Sequence, residues 1–199
     1  MHGLINKAIQ AFVVSTYGEE RWRDVMNSAD LGFAEFEAML TYTDEQSNKM
    51  LMAVEKMLER PLPEILEDTG TFLVSNPQVE ALRRLLRFGG VNYVEFLHSL
   101  DDLPDRARLA VADLHLPALE LVEISPGQFE LICQPGLPGF AFVLMGVLRA
   151  MADDYGDLVI LDYRGTQDGT DEGAEVISIT LVETDFAEGR TFDLGAHSL

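Results

Sequence analysis

The sequence predicts an α+β fold, in which a helical N-terminal lobe precedes an antiparallel sheet lobe that contains one long buried helix. Three observations lead to this prediction. Apolar residues recur at helical spacing up to about residue 116. After Pro117 they alternate, as in half-buried strands. The segment from Gly139 to Tyr155 is apolar nearly all round, which is typical of a helix buried between two layers.

Length and composition indicate one domain. A chain of 199 residues with 47% hydrophobic content can bury one sizeable core, or one core shared by two small lobes. Neither an internal repeat nor a linker is visible. We therefore expect a single domain over residues 1–185 and a tail over 186–199. Within the domain, the helical lobe should cover about residues 1–116 and the sheet lobe about 117–185.

Apolar stripes and capping residues predict the first three helices. The stripe of the first helix consists of Leu4, Ile5, Ala8, Ile9, Phe12 and Val13. Gly18 ends this helix, because glycine readily takes a positive φ. A short second helix follows around Trp22. Thr43, with Gln46 three residues later, forms a capping box that begins a third helix.

Two more helices are predicted from proline positions. Pro63 can occupy the first turn of a fourth helix, where its missing N–H costs no hydrogen bond. Asn76 and Pro77 form an N-cap and first-turn pair for a fifth helix, which ends before Gly89 and Gly90. The first half of the chain is therefore expected to be helical.

The central segment Val91–Leu119 should contain two consecutive helices. Asn92 and Glu95 are predicted to form a capping box for the first. Its apolar stripe consists of Tyr93, Phe96, Leu97, Leu100 and Leu103. The second helix, with Pro104 in its first turn and Asp101-Asp102 as its cap, should extend to Leu114. His115 is then expected to interact with its last carbonyls.

The C-terminal part predicts a sheet around the long helix. Leu119–Cys133 should form a hairpin with its turn at Ser125-Pro126-Gly127. Two further strands are predicted at Leu158–Tyr163 and Ala174–Val182. The acidic pair Asp153-Asp154, near the end of the long helix, is interpreted as a solvated helix end.

Charge and composition exclude several functions. The net charge of -20, from 34 acidic and 14 basic residues, argues against nucleic acid and anionic membrane surfaces as partners. It favours a cytoplasmic protein, or one that docks on a basic partner. A single cysteine excludes an internal disulfide. The sequence shows neither a signal peptide nor a membrane-spanning run, and it lacks catalytic motifs, so we expect no membrane insertion and no enzyme activity.

The order of segments resembles the haem nitric oxide/oxygen-binding family, known as H-NOX. The opening MHGLINKA and the later YGEERW are similar to the family patterns M-x-G-L-I-N-K-A and Y-G-E-E-x-W. The similarity continues from Asn92 to Leu103 and from Gly139 to Gly156. The resemblance implies a sensory domain in which haem lies between the two lobes.

Residues that hold haem in H-NOX proteins are replaced here. The family places its iron-ligating histidine in a D-x-L-H pattern, whereas this chain has Pro104 at that position. The propionate-binding Y-x-S-x-R motif corresponds to Cys133, Pro135 and Leu137. Proline cannot ligate iron, and buried propionates require polar partners. We therefore expect no haem cofactor held in the family's manner.

An alternative interpretation keeps haem and gas sensing through a substitute ligand. His98 is the candidate ligand, although a hydrogen-bonded or exposed histidine is the simpler interpretation. A Cys133 thiolate is a second option, although a lone cysteine on a strand usually packs as a small apolar residue.

The resemblance also identifies residues around an inter-lobe pocket. The pocket candidates are Ile5, Leu73, Phe96, Leu100, Leu103, Pro104, Cys133, Pro135, Leu137, Phe142 and Met145. Such a pocket either closes by packing or stays open for an apolar or amphipathic small ligand. The resemblance further implies a signalling partner of the histidine kinase or cyclic-dinucleotide enzyme class.

Overall fold

The computed structural model describes residues 1–77, 80–167, 169, 173–184 and 186–190. Its helices are α1 Gly3–Tyr17, α2 Glu19–Ala29, α3 Asp44–Leu58, α4 Leu62–Ser75, α5 Glu80–Arg87, α6 Tyr93–His98, α7 Leu103–Ala110 and α8 Phe140–Tyr155. Its strands are β1 Leu119–Ser125, β2 Gln128–Cys133, β3 Leu158–Thr166 and β4 Glu175–Glu183. The predicted α+β fold, with its helical lobe and long buried helix, is confirmed.

In the described part of the chain, the strands form one antiparallel sheet in the order β1-β2-β4-β3. Leu131 in β2 pairs with Leu121 in β1 and with Ile177 in β4. Leu131 and Ile177 are fully buried in the same core as α8. One face of the sheet is therefore covered, as alternating apolar residues require.

Two apolar clusters make up the core. The N-terminal cluster belongs to α1–α4 and is centred on residues such as Val13, Met50 and Val54. The C-terminal cluster joins α5–α8 to the sheet and includes Tyr93 and Met151. Phe142, near the start of α8, packs against both clusters. Helix α8 therefore connects the two lobes.

Glycines allow α4 and α8 to pack with their backbones in contact. A Cβ on Gly70 would lie 2.0 Å from the Val143 carbonyl oxygen, and one on Gly146 would lie 1.9 Å from the Glu67 carbonyl oxygen. The Thr71 hydroxyl also donates a hydrogen bond to the Gly146 carbonyl oxygen, at 3.3 Å. The joint between the lobes is thus a close-packed helix pair.

Helix starts follow their predicted caps only in part. The Thr43–Gln46 capping box of α3 is complete. At α6 the Glu95 N–H donates to Asn92 Oδ1 at 2.9 Å, but the Glu95 carboxylate accepts from the Val91 N–H instead of from Asn92. The Glu95 side chain therefore bonds the residue before the N-cap, whereas a regular capping box bonds the N-cap residue itself.

The prediction that Asp101-Asp102 caps α7 is wrong. Asp102 occupies the N-cap position without a side-chain hydrogen bond to the helix. The Asp101 carboxylate instead accepts from the Leu121 N–H at 2.9 Å and ties this turn to β1. A donor twenty positions away in sequence cannot be identified from local spacing.

Two other boundaries differ from the sequence prediction, and the start of α5 falls partly outside the described residues. Helix α7 stops at Ala110, because Val111 takes an extended backbone conformation. His115 therefore lies beyond the helix, and its Nδ1 lies 2.9 Å from the Asp113 carbonyl oxygen. Asn76 ends α4 by donating its N–H to the Phe72 carbonyl. Helix α5 is described from Glu80, since residues 78–79 lie outside the described part of the chain.

The first part of the tail lies against α8. Its Ala187 N–H donates to the Gly156 carbonyl at 3.0 Å, and its Arg190 N–H donates to the Asp154 carbonyl at 2.9 Å. Residues 191–199 of the predicted tail lie outside the described residues. None of the described helices has the length and apolarity needed to cross a membrane.

Candidate functional site

The segment in which the H-NOX resemblance places the family's iron ligand lies at the start of α7. Leu103 is its first residue and Pro104 its second, so the proline occupies a first-turn position where it removes no helical hydrogen bond. Leu103 is buried with 6% exposure, and Pro104 is half-buried. Both of these side chains are hydrocarbon, and neither has an atom that can ligate a metal.

Five pocket candidates come together in the C-terminal core. Phe96, Leu100, Leu103, Cys133 and Met145 all belong to one buried cluster, and none exceeds 7% exposure. They come from α6, the 3-10 turn that follows it, α7, β2 and α8. This part of the expected pocket is therefore packed with side chains.

The other pocket candidates lie nearer the surface. Phe142 is half-buried and packs its ring against Tyr163, with 4.6 Å between ring centroids. Ile5 on α1 and Leu73 on α4 are also half-buried, and neither belongs to a buried cluster. The structure therefore brings Phe142 to the lobe junction but does not bury Ile5 and Leu73 with the inner group.

The loop after β2 offers no charged anchor at the expected positions. Pro135 is exposed and Leu137 is half-buried. On α7, Arg106 donates to the Ser99 carbonyl at 2.8 Å and to the Leu85 carbonyl at 3.3 Å. Its guanidinium therefore stabilises the ends of α5 and α6, and two buried carboxylates would find no partner in this loop.

His98 lies at the surface at the end of α6. Its ring packs edge-on against Phe129 in β2, with 6.0 Å between ring centroids. An exposed ring in this arrangement matches the simpler interpretation of this residue. Among the residues that the structure describes, no group of three or more His, Cys, Asp or Glu side chains could hold a metal ion.

Burial makes Cys133 a poor thiolate ligand. Loss of solvent raises the pKa of the Cys133 thiol to about 12, and the negative charge of Glu175 adds to this increase. A raised pKa keeps the sulfur protonated at neutral pH, whereas metal ligation and alkylation both need the thiolate. Cys133 is therefore expected to behave as a packed apolar side chain.

We predict that Cys133 resists alkylation in the folded protein. Because its pKa is about 12 and its side chain is buried, iodoacetamide at mildly alkaline pH should label it more than about a hundredfold more slowly than in the unfolded chain. Mass spectrometry of samples with and without guanidinium chloride measures both rates on the same single cysteine. Equal labelling rates would show that the β2 end of the core opens readily.

Taken together, these residues do not fit haem held as H-NOX proteins hold it. The H-NOX resemblance assigns Pro104 to the axial position and Cys133, Pro135 and Leu137 to the propionate positions. The five inner pocket candidates are buried in one cluster. A surface groove beside Pro104 has a volume of only about 190 Å³. Ligand pockets usually measure about 300–1,000 Å³.

Sequence reasoning missed a buried polar cluster at the end of α8. Asp153 is exposed as expected, but Asp154 is only 1% exposed, so the solvated interpretation of this residue is wrong. Its carboxylate pairs with Arg83 at 2.7 Å and with Arg87 at 3.5 Å. The sequence signal for this cluster was the spacing of Arg83 and Arg87, which lie one helical turn apart and therefore on the same face of α5.

The two-lobed fold with α8 at its junction is that of H-NOX proteins. An Fe(II) unliganded H-NOX protein from K. algicida matches 94% of this chain and 100% of its own, with a TM-score of 0.77 and 14% identity. An H-NOX protein from S. oneidensis in the Fe(II)NO state matches 92% of this chain and 100% of its own, with a TM-score of 0.72 and 16% identity. At this identity, the similarity establishes the fold alone.

The profile of the haem-NO-binding family, HNOB, matches residues 2–161, and this chain belongs to that family. Among similar proteins, soluble guanylate cyclase gcy-31 of Caenorhabditis elegans is 23% identical over 77% of this chain. Soluble guanylate cyclase gcy-34 of the same organism is 27% identical over 76% of this chain. The matched regions cover only 22% and 23% of these relatives. The family resemblance predicted from the sequence is confirmed.

Proposed function

We propose that this chain is a sensory or regulatory domain of the H-NOX type that does not hold haem in the family's manner. One observation supports the proposal: α7 begins with buried Leu103 and with Pro104, the position to which the H-NOX resemblance assigns the iron ligand. The core behind these residues is filled by apolar side chains. Filling this volume favours packing over a bound porphyrin.

The input to the domain acts on the packing of the lobes. The α4–α8 joint has backbone contacts at Gly70 and Gly146, and such close-packed joints tend to switch between discrete arrangements instead of deforming gradually. A small apolar ligand or a docked partner that binds one arrangement better shifts the population toward it. The chain thereby regulates another protein and carries out no catalysis itself.

The output is a signalling protein. The relatives gcy-31 and gcy-34 are soluble guanylate cyclases and are much longer than the matched region, so a nucleotide cyclase is one class of target. Histidine kinases and cyclic-dinucleotide enzymes are the classes that the H-NOX resemblance implies. The net charge of -20 favours a basic docking surface on that partner.

The proposal predicts that the purified protein lacks a stoichiometric haem absorption band. The protein should be produced in cells supplied with a haem precursor, and its visible spectrum compared with its protein absorbance. A haem-binding H-NOX protein produced in parallel serves as the positive control. We expect no Soret band at one haem per chain, because the axial and propionate positions lack polar groups.

The alternative, a haem-based gas sensor, predicts a different spectrum. A stoichiometric Soret band that is lost in His98→Ala would show that this histidine replaces the missing ligand, and would overturn the proposal. A full band retained in His98→Ala would overturn it as well and would identify another ligand.

A further inference from the structure

A second candidate site lies away from the lobe junction, in the N-terminal lobe. Helices α1 and α2 and the segment of residues 30–35 enclose a cleft of about 590 Å³. This volume lies within the range of about 300–1,000 Å³ that is typical of small-molecule sites. The cleft involves none of the residues assigned above to the inter-lobe pocket.

Apolar and aromatic side chains line part of the cleft. Trp22 and Met26 on α2 are each 5% exposed, and Phe33 is half-buried. The Trp22 indole N–H donates to the Ala34 carbonyl at 3.1 Å, which holds the ring in place. Because Trp22 is 5% exposed, only a small part of it reaches the cleft, and the half-buried Phe33 ring offers the larger aromatic surface. Aromatic rings of this kind attract cations.

A buried amide on the cleft wall retains unused hydrogen-bond donors. Gln10 on α1 is only 7% exposed and lines the cleft. Its Oε1 accepts from the Phe36 N–H at 3.1 Å, which orients the amide. Its Nε2 group forms no hydrogen bond to a described residue and remains accessible to solvent. A ligand that supplies an acceptor would therefore take the place of water at this donor.

The charges around the cleft are mostly negative. Glu19, Asp30 and Glu35 line it, against Arg23 as the cation among its lining residues. Lys7 forms an ion pair with Glu35 at 3.2 Å and neutralises that acid, which leaves an excess of one negative charge. The net charge of -20 of the whole chain acts in the same direction and repels anions.

We propose that this cleft binds a small organic cation that has an aromatic body and a hydrogen-bond acceptor such as a hydroxyl group. The ring packs with Trp22 and Phe33, the cation lies near Glu19 and Asp30, and the acceptor meets Gln10 Nε2. The cleft would supply one input to the proposed regulatory domain, and only this biological role rests on the proposed function. Binding itself requires no particular state of the lobe junction.

Tyramine is the probe, because it combines a phenol ring with an amine. Trp22 is the only tryptophan of the chain, so selectively excited tryptophan fluorescence reports on the cleft directly. We expect tyramine to change this fluorescence saturably, and the matched anion para-hydroxyphenylacetate to bind at least about tenfold more weakly. The haem content of the sample is recorded separately, so failure here would leave the proposed function standing.

Two pairs of variants control the titration. Glu19→Gln with Asp30→Asn should weaken tyramine binding about fivefold, whereas Glu20→Gln with Asp24→Asn removes the same charge from exposed positions of α2 outside the cleft and should retain the wild-type affinity. Asn27→Phe should block the cleft, and Ser28→Phe, on the adjacent exposed position, should not.

Three results would overturn the cleft proposal. The first is the absence of a saturable response to tyramine, and the second is equal affinity for the anion. The third is wild-type affinity in the folded Asn27→Phe variant. If Asn27→Phe does not fold, the two charge-matched variants decide: equal affinities in both would show that the acids of the cleft do not bind the cation.

Discussion

Replacing Asp154 by asparagine is expected to lower the free energy of unfolding by about 3 kcal/mol. The Asp154 carboxylate is 1% exposed and lies 2.7 Å from Arg83 Nη2 and 2.8 Å from Arg83 Nε. Arg87 approaches its other oxygen at 3.5 Å. Asparagine preserves the shape but removes the charge, so two largely buried guanidinium groups lose the carboxylate that pairs with both of them.

Loss of the Asp154 charge should also weaken the packing of α5 against α8. Arg87 also lies over the Tyr155 ring, 4.0 Å from its centroid, and the Tyr155 hydroxyl donates to the Gly90 carbonyl at 2.8 Å. The Asp154 carbonyl further accepts the Arg190 N–H of the tail at 2.9 Å. The cluster therefore connects α5, α8 and the tail, and its carboxylate compensates the cations.

Urea denaturation followed by circular dichroism measures the effect. Asp153→Asn is the matched control, since Asp153 is the exposed neighbour on the same turn and should change stability by less than about 0.5 kcal/mol. Equal losses in the two variants would mean that the buried ion pairs contribute nothing beyond a general charge effect.

Replacing Gly146 by alanine is expected to destabilise the fold by about 3 kcal/mol. Helix propensity alone predicts the opposite, because alanine is favoured over glycine in a helix interior by about 1 kcal/mol. The added Cβ would lie 1.9 Å from the Glu67 carbonyl oxygen and 2.7 Å from the Thr71 amide nitrogen. Both are backbone atoms, so a rotamer change cannot relieve the clash and α4 must move away from α8.

The sign of the change in stability separates the two effects. Urea denaturation of Gly146→Ala should show a lower midpoint than wild type. Ser75→Ala, on the exposed side of α4, introduces alanine into the same helix pair without a close contact and should stay within about 0.5 kcal/mol of wild type. A Gly146→Ala protein more stable than wild type would contradict the close backbone packing.

Most of the fold could be predicted because its signals are local. The Thr43–Gln46 box, the positive φ of Gly18 and the turn before Gln128 each depend on neighbouring residues. Predictions failed where a distant partner decided. Asp101 binds the Leu121 N–H of β1 instead of capping α7, and this contact exists only once the chain has folded.

In the candidate site, too, some properties follow from residue type and others depend on tertiary contacts. That Pro104 provides no iron ligand follows from its chemistry alone, and so does the lack of a cation at Leu137. The burial of Leu103 and Met145 in one cluster depends on how α7 and α8 approach each other. The cleft around Trp22 and Gln10 joins three segments and left no periodic signal in the sequence.

The sequence by itself determined the family and the order of helices and strands, because residue type and short-range spacing specify these properties. It also carries Pro104, Cys133, Pro135 and Leu137 at the positions that the H-NOX resemblance assigns to haem binding. Only the tertiary structure decided that the inner pocket is packed, that Asp154 is a buried counter-ion and that a charged cleft opens in the N-terminal lobe. Burial and pairing depend on segments far apart in the chain, and their free energy arises when these segments come together.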